Sequence, residues 1–350
     1  MGSHKFYYPC KLSEPTLFRR KIHKMLTVTA PEVSVIIPCY NGERFLKATL
    51  ESVFSQSYQN FEVIVIDDGS TDSSSLIIKE YGDRTHAVFT ENRGVSVARN
   101  HGTRLARGAL FQYLDADDLL HPDALKQRVE ALRGISNGVA ISEWQELVEL
   151  SPGQYQHRAH GRPSFHRLSN AEESIFSGFW APPAAIMYTR EIVARIGDWD
   201  ESLPIIQDAR FLLDAAYHGA QFVLIPEVLA DYRIALHGSL SRTNRVKFIS
   251  DQAKNLEDIE RRWYTSGLPS AQRIELLRKA HGAVVRDWYA LDRAKFHAAL
   301  LDARRLNPGF IPDGSKAYHW LSKLFGVGFA ERTALLGRVC KRFVSGKLLK

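Results

Sequence analysis

The sequence predicts an α/β fold, in which a mostly parallel sheet is flanked by helices and followed by an α-helical C-terminal region. Short β-branched runs, among them Val33–Pro38 and Phe61–Ile66, alternate with segments of helical periodicity. Each run leads into a polar or acidic turn, an order typical of βαβ units whose sheet is buried on both faces. Because open sheets of this type bind ligands at the carboxyl ends of their strands, we expect the polar turns to converge on one crevice.

The first predicted strand ends at Pro38, and the turn Cys39–Gly42 separates it from a helix predicted over residues 43–56. In this turn, Tyr40 offers an aromatic face and a hydroxyl to a flat nucleobase, and packing in the core is the alternative. We favour base binding because Pro38 and Asn41 mark a turn around Tyr40. These two neighbours are therefore also candidate binding residues.

The second predicted strand runs into Asp67–Asp72, a turn with three carboxylates. Asp68 could accept a hydrogen bond from the imide N–H of a uracil or thymine ring. The alternative is a local turn, in which the side chain bonds nearby backbone. This alternative applies equally to Asp67, Ser70 and Asp72.

A third strand is predicted over residues 87–90, and a helix begins after Gly94. Between them, Arg93 could bind diphosphate oxygens in a bidentate way, with a solvated surface arginine as the alternative. Arg99 and Asn100 fall on the helix and are interpreted as supporting residues.

An apolar run from Ala109 closes in Leu114–Asp118, where three carboxylates lie within four residues. Such a cluster needs a compensating cation, and hard oxygen ligands suit Mg²⁺ or Mn²⁺ shared with a substrate diphosphate. Asp115 and Asp117 are expected to face the same way, because side chains alternate along an extended backbone. The alternative is a solvated turn that caps a helix starting near residues 121–122.

Five motifs, in order between residues 33 and about 241, resemble those of the nucleotide-sugar glycosyltransferases of family 2. The motifs are Val-Ile-Ile-Pro-Cys-Tyr-Asn, Val-Ile-Val-Ile-Asp-Asp-Gly-Ser-Thr-Asp, Asn92-Arg93-Gly94 with Ala98-Arg99-Asn100-x-Gly102, Leu-Asp-Ala-Asp-Asp, and Ile206-Gln207-Asp208. The resemblance implies the GT-A fold, a Rossmann-like, mostly parallel sheet flanked by helices. It also implies an inverting transfer that depends on Mn²⁺ or Mg²⁺.

Within the Asp-x-Asp motif, the resemblance implies that Asp117 ligates the metal and that Asp115 touches the ribose or a metal-bound water. Asp118 orients these ligands or caps the following helix. Asp68 is implied to contact the base, which favours a UDP- or dTDP-sugar as donor. The metal would neutralise charge on the departing nucleoside diphosphate.

The resemblance makes Asp208 the general base that deprotonates the acceptor hydroxyl, in a single displacement with inversion. The alternative is an acid that is favoured in the first helical turn by the helix macrodipole. Family members usually carry Glu-Asp at this site. Gln207 replaces the glutamate here and changes a contact that often helps to place the acceptor.

Two further segments near this helix contain candidate site residues. Trp180, in the segment 178–183, could stack on an acceptor sugar, although core packing is an equal alternative. The stretch Asp231–Ser241 resembles the family's closing loop. There His237 could complete the metal or diphosphate site, or it could simply be solvated.

Charge divides the chain into three predicted parts: a basic extension over residues 1–32, the glycosyltransferase domain over 33–241, and a basic α-helical region over 242–350. Residues 33–240 carry a net charge of −9, whereas residues 241–350 carry +12. Because the basic surface is not where the chemistry lies, nucleic acid is not expected as a partner.

The basic tail, residues 316–350, has eight basic residues and one acid, interleaved with aromatic and aliphatic side chains. This composition suits a helix on an anionic membrane, and docking on the acidic catalytic domain is an equal alternative. No apolar stretch reaches the roughly 18–20 residues that span a bilayer, no signal-peptide core is found, and three scattered cysteines form no disulfide framework. We therefore expect a cytoplasmic enzyme, with peripheral attachment to the inner face of the plasma membrane as an option.

The sequence thus predicts a glycosyltransferase that builds bacterial cell-surface polysaccharide or lipopolysaccharide on a glycan or lipid-linked glycan acceptor. The surface-glycan role is implied by the resemblance alone. A sugar nucleotidyltransferase is the enzymatic alternative, but the glycine-rich loop that it needs is missing after the first strand. A binding module that has lost activity is the other alternative, and the intact Asp115, Asp117 and Asp208 argue against it.

Overall fold

The structure is a computed structural model that describes residues 30–159, 170–236 and 244–344, with side chains described as far as residue 337. Nine strands of the described chain form one sheet, in the order β3-β2-β1-β4-β8-β6-β9-β5, and β7 pairs with β6. The strands are β1 (Val33–Cys39), β2 (Phe61–Asp68), β3 (His86–Thr90), β4 (Leu110–Tyr113), β5 (Leu119–Leu120), β6 (Gly138–Ser151), β7 (Gln154–Ala159), β8 (Ile186–Thr189) and β9 (Gln221–Ile234).

The described helices flank the sheet and then continue beyond it. They are α1 (Leu46–Phe54), α2 (Ser74–Glu80), α3 (Val95–Leu105), α4 (Ala124–Ala131), α5 (Ala171–Phe176), α6 (Arg190–Ile196), α7 (Gln207–Tyr217), α8 (Arg245–Thr265), α9 (Ala271–Leu291), α10 (Arg293–Leu306), α11 (Lys316–Phe325) and α12 (Val327–Val344).

The sheet has two halves of different character. In the parallel half, β3, β2, β1 and β4 run in the same direction, and β1 is buried along its whole length. In the mixed half, β8 is antiparallel to both β4 and β6, β9 is parallel to β6, and β5 is antiparallel to β9. The α/β architecture with a mostly parallel sheet and a helical C-terminal region is therefore confirmed.

Sequence reasoning missed part of the mixed half. Neither the hairpin β6–β7 nor the full 14-residue length of β9 was predicted. β6 carries half-buried polar residues between buried ones, and β9 carries exposed ones, so neither has the continuous apolar run of β1. Their pairing with each other stabilises them instead.

The C-terminal helices pack against the rest of the chain. Buried side chains from α8, α9 and α10 belong to the same hydrophobic cluster as the sheet, among them Ile249, Trp263, Val285 and Phe296. The division at residues 32 and 241 stays a prediction. In the described part of the chain, none of the helices combines the length and apolar character that a bilayer-spanning segment needs.

Candidate functional site

The loops after β1 and β2 are locked together by side-chain hydrogen bonds. Asn41 has a left-handed backbone, with φ of 51°. Its backbone N–H donates to the Ser70 hydroxyl at 2.9 Å, and its side-chain oxygen accepts from the Thr71 N–H at 2.8 Å. The neighbouring Tyr40 is 53% exposed, whereas Pro38 is buried in β1. The fold thus presents the Tyr40 ring at the carboxyl edge of the sheet, where a base could stack.

Asp68 joins the second loop to the third. Its two carboxylate oxygens accept from the backbone N–H groups of Arg93 at 2.9 Å and Gly94 at 2.8 Å. Each oxygen keeps a further lone pair, so a bond from a base imide remains chemically open. The Arg93 side chain is exposed at the same edge. Asp67, in contrast, accepts from the Ser70 N–H at 3.0 Å and shapes the local turn.

The acidic segment after β4 is a turn, so the expectation that Asp115 and Asp117 face the same way on an extended backbone is wrong. β4 ends at Tyr113, and the Asp118 N–H donates to the Asp115 carbonyl at 3.1 Å. The Thr49 hydroxyl of α1 lies 2.9 Å from the carbonyl oxygens of both Ala116 and Asp118 and holds this shape. The segment also does not cap α4.

Electrostatics at this turn favour a cation. Burial, and then the charge of Asp115, raise the pKa of the Asp117 carboxyl to about 6. Asp118 is buried, and one of its carboxylate oxygens has no hydrogen-bond partner in the described structure. Burial and the neighbouring Asp117 also raise the pKa of Asp118 well above its usual range.

These carboxylates fit a divalent ion that takes its other ligands from a diphosphate and water. Residues 30–159, 170–236 and 244–344 contain no cluster of three or more His, Cys, Asp or Glu side chains arranged for a metal. Hard oxygen donors at Asp115 and Asp117 still match what Mg²⁺ and Mn²⁺ prefer, and Mg²⁺ commonly uses only one or two carboxylates. His237 lies outside the described residues.

Asp208 lies in the first turn of α7. One carboxylate oxygen accepts from the Trp180 indole N–H at 2.8 Å, and the other accepts from the Ala209 N–H at 2.7 Å. Burial raises the pKa of Asp208, and the positive charge of Arg99 opposes that rise. Trp180 therefore holds the candidate base in place, in addition to any contact with an acceptor.

Arg99 connects the acidic turn with the base. It is 1% exposed, its Nη2 lies 2.5 Å from the Asp115 carboxylate, and its guanidinium packs 4.4 Å from the ring centre of Trp199. Since the same guanidinium lowers the pKa of Asp208, one buried cation interacts with a carboxylate from each half of the sheet. The neighbouring Gln207 is buried, and its side-chain oxygen has no hydrogen-bond partner among the described residues.

Tyr232 is a site residue that sequence reasoning missed. After burial, the strongest causes that raise its pKa are the charges of Asp118, Asp115, Asp208 and Asp117, in that order. Its ring also packs edge-on against Trp180, with ring centres 5.4 Å apart. The Tyr232 phenol thus lies near both the acidic turn and the candidate base. Its position inside the stretch that resembles the closing loop was the available signal.

Arg233 is the second residue that was missed. Its backbone N–H donates to the Asp118 carboxylate at 2.8 Å, and its Nε donates to the Asp117 carbonyl at 2.6 Å. The guanidinium lies between two rings, 4.5 Å from the centre of Phe45 and 5.0 Å from that of Tyr155. The end of β9 thereby clamps the acidic turn.

Comparisons with known proteins identify a family model and relatives that resemble this chain. The model of Glycosyl transferase family 2 matches residues 34–195. An uncharacterized glycosyltransferase of Rickettsia typhi is 27% identical over 240 residues, which cover 67% of this chain and 71% of the relative.

Two solved structures are similar in fold. S. aureus TarS 1–349 has a TM-score of 0.61 at 16% identity and covers 87% of this chain and 92% of its own, and it has also been solved in complex with UDP-GlcNAc. The Pyrobaculum calidifontis mannosyltransferase PcManGT, in complex with GDP-Man and Mn²⁺, has a TM-score of 0.53 at 18% identity and covers 91% and 94%. Residues 34–195 therefore match the family 2 glycosyltransferases, and the architecture shared with these structures is the GT-A fold.

Proposed function

We propose that this enzyme is an inverting, divalent-metal-dependent transferase that moves a sugar from a UDP- or dTDP-sugar to a hydroxyl group. The acceptor is a glycan or a lipid-linked glycan, and the pathway is bacterial cell-surface polysaccharide or lipopolysaccharide synthesis. The enzyme works in the cytoplasm. The observation that supports the proposal is a chain of contacts from the proposed base to the acidic turn. The Trp180 indole donates to Asp208 at 2.8 Å and packs against Tyr232. The next residue, Arg233, bonds Asp117 and Asp118.

The proposed chemistry is a single displacement. The acceptor oxygen attacks the anomeric carbon, the bond from that carbon to the diphosphate oxygen breaks, and Asp208 receives the hydroxyl proton. The hydrogen bonds from Trp180 and from the Ala209 N–H fix the carboxylate of Asp208. Arg99 favours the ionised form that a base requires.

Donor binding is proposed at the edge of the parallel half. The exposed ring of Tyr40 would stack on the base, Asp68 would accept from its imide, and Arg93 would bind the diphosphate. The complexes of TarS with UDP-GlcNAc and of PcManGT with GDP-Man and Mn²⁺ support a nucleotide-sugar donor in this fold. Asp68 is the reason to favour uracil or thymine.

The residues that would hold the metal are Asp117 and Asp115, with His237 as a further candidate. When bound, the ion would neutralise charge on the leaving diphosphate. The raised pKa of Asp117 supports this role, since a neighbouring cation favours the ionised carboxylate. Trp180 and Gln207 are the proposed acceptor contacts, beside the base.

A donor screen tests the proposal. UDP-, dTDP- and GDP-sugars are compared by thermal shift with Mn²⁺ and with EDTA, because a bound donor stabilises the folded state by mass action. For each donor that binds, the anomeric configuration of the released or transferred sugar is measured by NMR. We expect metal-dependent stabilisation by a UDP- or dTDP-sugar and an inverted product. Equal stabilisation in EDTA would contradict the metal site, and a retained configuration would contradict the role of Asp208.

A further inference from the structure

The last two described helices carry an apolar patch that faces solvent. We name the following five residues the tail patch: Trp320, Leu324, Phe325, Phe329 and Leu336, which are 47–60% exposed. The rings form a continuous surface, because ring centres are 6.4 Å apart for Trp320 and Phe325 and 5.0 Å apart for Phe325 and Phe329. No described residue covers this face.

The opposite face of the same helices is packed inward. The Tyr318 hydroxyl donates to the buried Glu331 carboxylate at 2.6 Å, and Val327 and Ala330 are buried. Gly326 ends α11 with φ of 85°, a left-handed conformation that glycine adopts readily and that lets α12 start at the next residue. The exposure of the tail patch therefore follows from a fixed helix pair and not from an unpacked end.

The exposed charged side chains that are described on these two helices have one sign. Lys316, Lys323 and Arg332 are exposed on these two helices. The single acid of residues 316–350 is Glu331, and it is buried against Tyr318. The described solvent face of α11 and α12 thus offers aromatic and aliphatic side chains among cations only.

We propose that the tail patch binds the surface of an anionic lipid membrane, with its aromatic side chains in the interface and the basic side chains at the headgroups. Helices that lie in a membrane interface carry Trp, Phe and Leu on the side that enters the membrane, with Lys or Arg beside them. Juxtamembrane basic clusters are attracted to anionic lipid.

Charge on the rest of the chain gives the bound molecule an orientation. Residues 33–240 have a net charge of −9 and residues 241–350 of +12, so an anionic surface attracts the helical side and repels the catalytic side. Two other occupants are less consistent with the structure. The acidic catalytic region leaves the tail patch exposed, and a second copy on the same patch would bring like charges together.

Vesicle flotation with the full chain tests this inference without any measure of turnover, so its outcome is independent of the proposed reaction. Vesicles of phosphatidylcholine alone are compared with vesicles that also contain phosphatidylglycerol. The variants are Trp320→Ala/Phe325→Ala in the tail patch and Lys323→Gln/Arg332→Gln beside it. A matched control, Leu76→Ala/Phe89→Ala, removes exposed apolar side chains from the catalytic region.

We expect the full chain to float with phosphatidylglycerol vesicles and not with phosphatidylcholine alone, and high salt to weaken the binding. The tail-patch variant should bind about tenfold more weakly at an unchanged melting temperature. The charge variant should also bind about tenfold more weakly and lose part of the salt dependence, and the control should bind like the parent. Equal flotation of the tail-patch variant and the parent, or no preference for anionic lipid, would overturn the inference. Sedimentation velocity that shows a dimer lost in the tail-patch variant would assign the patch to a second copy.

Discussion

The parallel and mixed halves of the sheet hold their polar side chains by different means. In the parallel half, loop side chains bond the backbone of the neighbouring loop, as Asn41 does with Thr71 and Asp68 does with Arg93 and Gly94. The proposed base Asp208, in contrast, accepts from the backbone N–H of its own helix neighbour Ala209 and from a distant side chain, the Trp180 indole. Backbone partners fix a loop almost regardless of the sequence around it, whereas side-chain partners must be supplied residue by residue.

Because of this difference, we expect donor binding and sugar transfer to depend on different parts of the molecule. The proposed donor contacts lie on the edge of the parallel half, and the proposed base lies on α7, where Trp180 from the segment before β8 holds it. Arg99 and Tyr232 are the residues that interact with carboxylates of both. Substitutions in one half should therefore change donor binding, and substitutions in the other should change turnover.

The largest expected effect is on turnover. Asp208→Asn keeps the shape of the side chain but removes the proton acceptor, so kcat should fall by about 10²–10⁴-fold. The dissociation constant for the donor should stay within about twofold, because a base acts chiefly in the transition state. Transfer kinetics and calorimetric donor binding measure the two quantities separately.

Asp198→Asn is the matched control for that variant, since Asp198 is an exposed acid paired with Arg104. It should leave both kcat and donor affinity unchanged. A kcat of Asp208→Asn that equals the value for this control would remove Asp208 from the mechanism and would break the separation of the two halves.

The second effect is on donor affinity. Asp117→Ala removes a proposed metal ligand, so the affinity for UDP in the presence of Mn²⁺ should fall by about 10–100-fold. The affinity for UDP in EDTA should not change, since the proposed base contacts at Tyr40 and Asp68 stay intact. Calorimetry of parent and variant under both conditions provides the measurement. If Mn²⁺ fails to increase UDP affinity even in the parent, the metal site is elsewhere.

Much of the parallel half could be predicted from the sequence, because its strands are short apolar runs and its polar turns follow them at once. The strands ending at Cys39 and Asp68 and the helices α3 and α7 lie close to where periodicity indicated. The shape of the acidic turn could not be predicted. It depends on Thr49, a helix residue nearly 70 positions away, whose hydroxyl bonds the turn.

Contacts between residues far apart in the chain also explain why Arg233 and its partners in the mixed half were not predicted. Tyr155 lies on a hairpin that no local pattern indicated, and it reaches Arg233 only because β6 pairs with β9 over most of its length. A buried arginine between two rings has no signature in a single sequence. Sequence motifs therefore predicted the residues of the proposed chemistry, while long-range pairing supplies the residues that contact them.

The affinity for Mn²⁺ should depend on pH. The folded chain keeps the Asp117 proton up to a pKa of about 6, above its usual value, so this carboxyl favours the folded state in acid and the contribution is lost as pH rises through about 6. Metal binding needs the ionised form. Mn²⁺ affinity should therefore be about tenfold weaker at pH 5 than at pH 7.5.

Calorimetry at both pH values tests this, with UDP binding in EDTA as the reference for other pH effects. An Mn²⁺ affinity that is equal at pH 5 and pH 7.5 would mean that the carboxylates of the acidic turn are already ionised. Asp115 and Asp117 would then stay ionised at pH 5 without a bound cation.

The smallest expected effect is at Arg233, which contacts the acidic turn from the end of β9. Arg233→Lys keeps the charge, but it loses the Nε hydrogen bond to the Asp117 carbonyl and the flat packing between Phe45 and Tyr155. One neutral-acceptor hydrogen bond contributes about 0.5–1.5 kcal/mol, so UDP affinity with Mn²⁺ should fall about three- to tenfold. Affinity in EDTA and kcat at saturating donor should change little.

Arg158→Lys is the control, because Arg158 lies on the hairpin that carries Tyr155 and pairs with Glu146 of the same hairpin. If both lysine variants weaken Mn²⁺-dependent binding equally, the loss reflects a loosened hairpin and not the position of Asp117. If only Arg233→Lys does so, the mixed half contributes to donor binding through the shape of the turn. The two halves would then be separate in their proposed substrate contacts but coupled through Arg233, in addition to Arg99, because Arg233 bonds the backbone carbonyl of the proposed metal ligand Asp117.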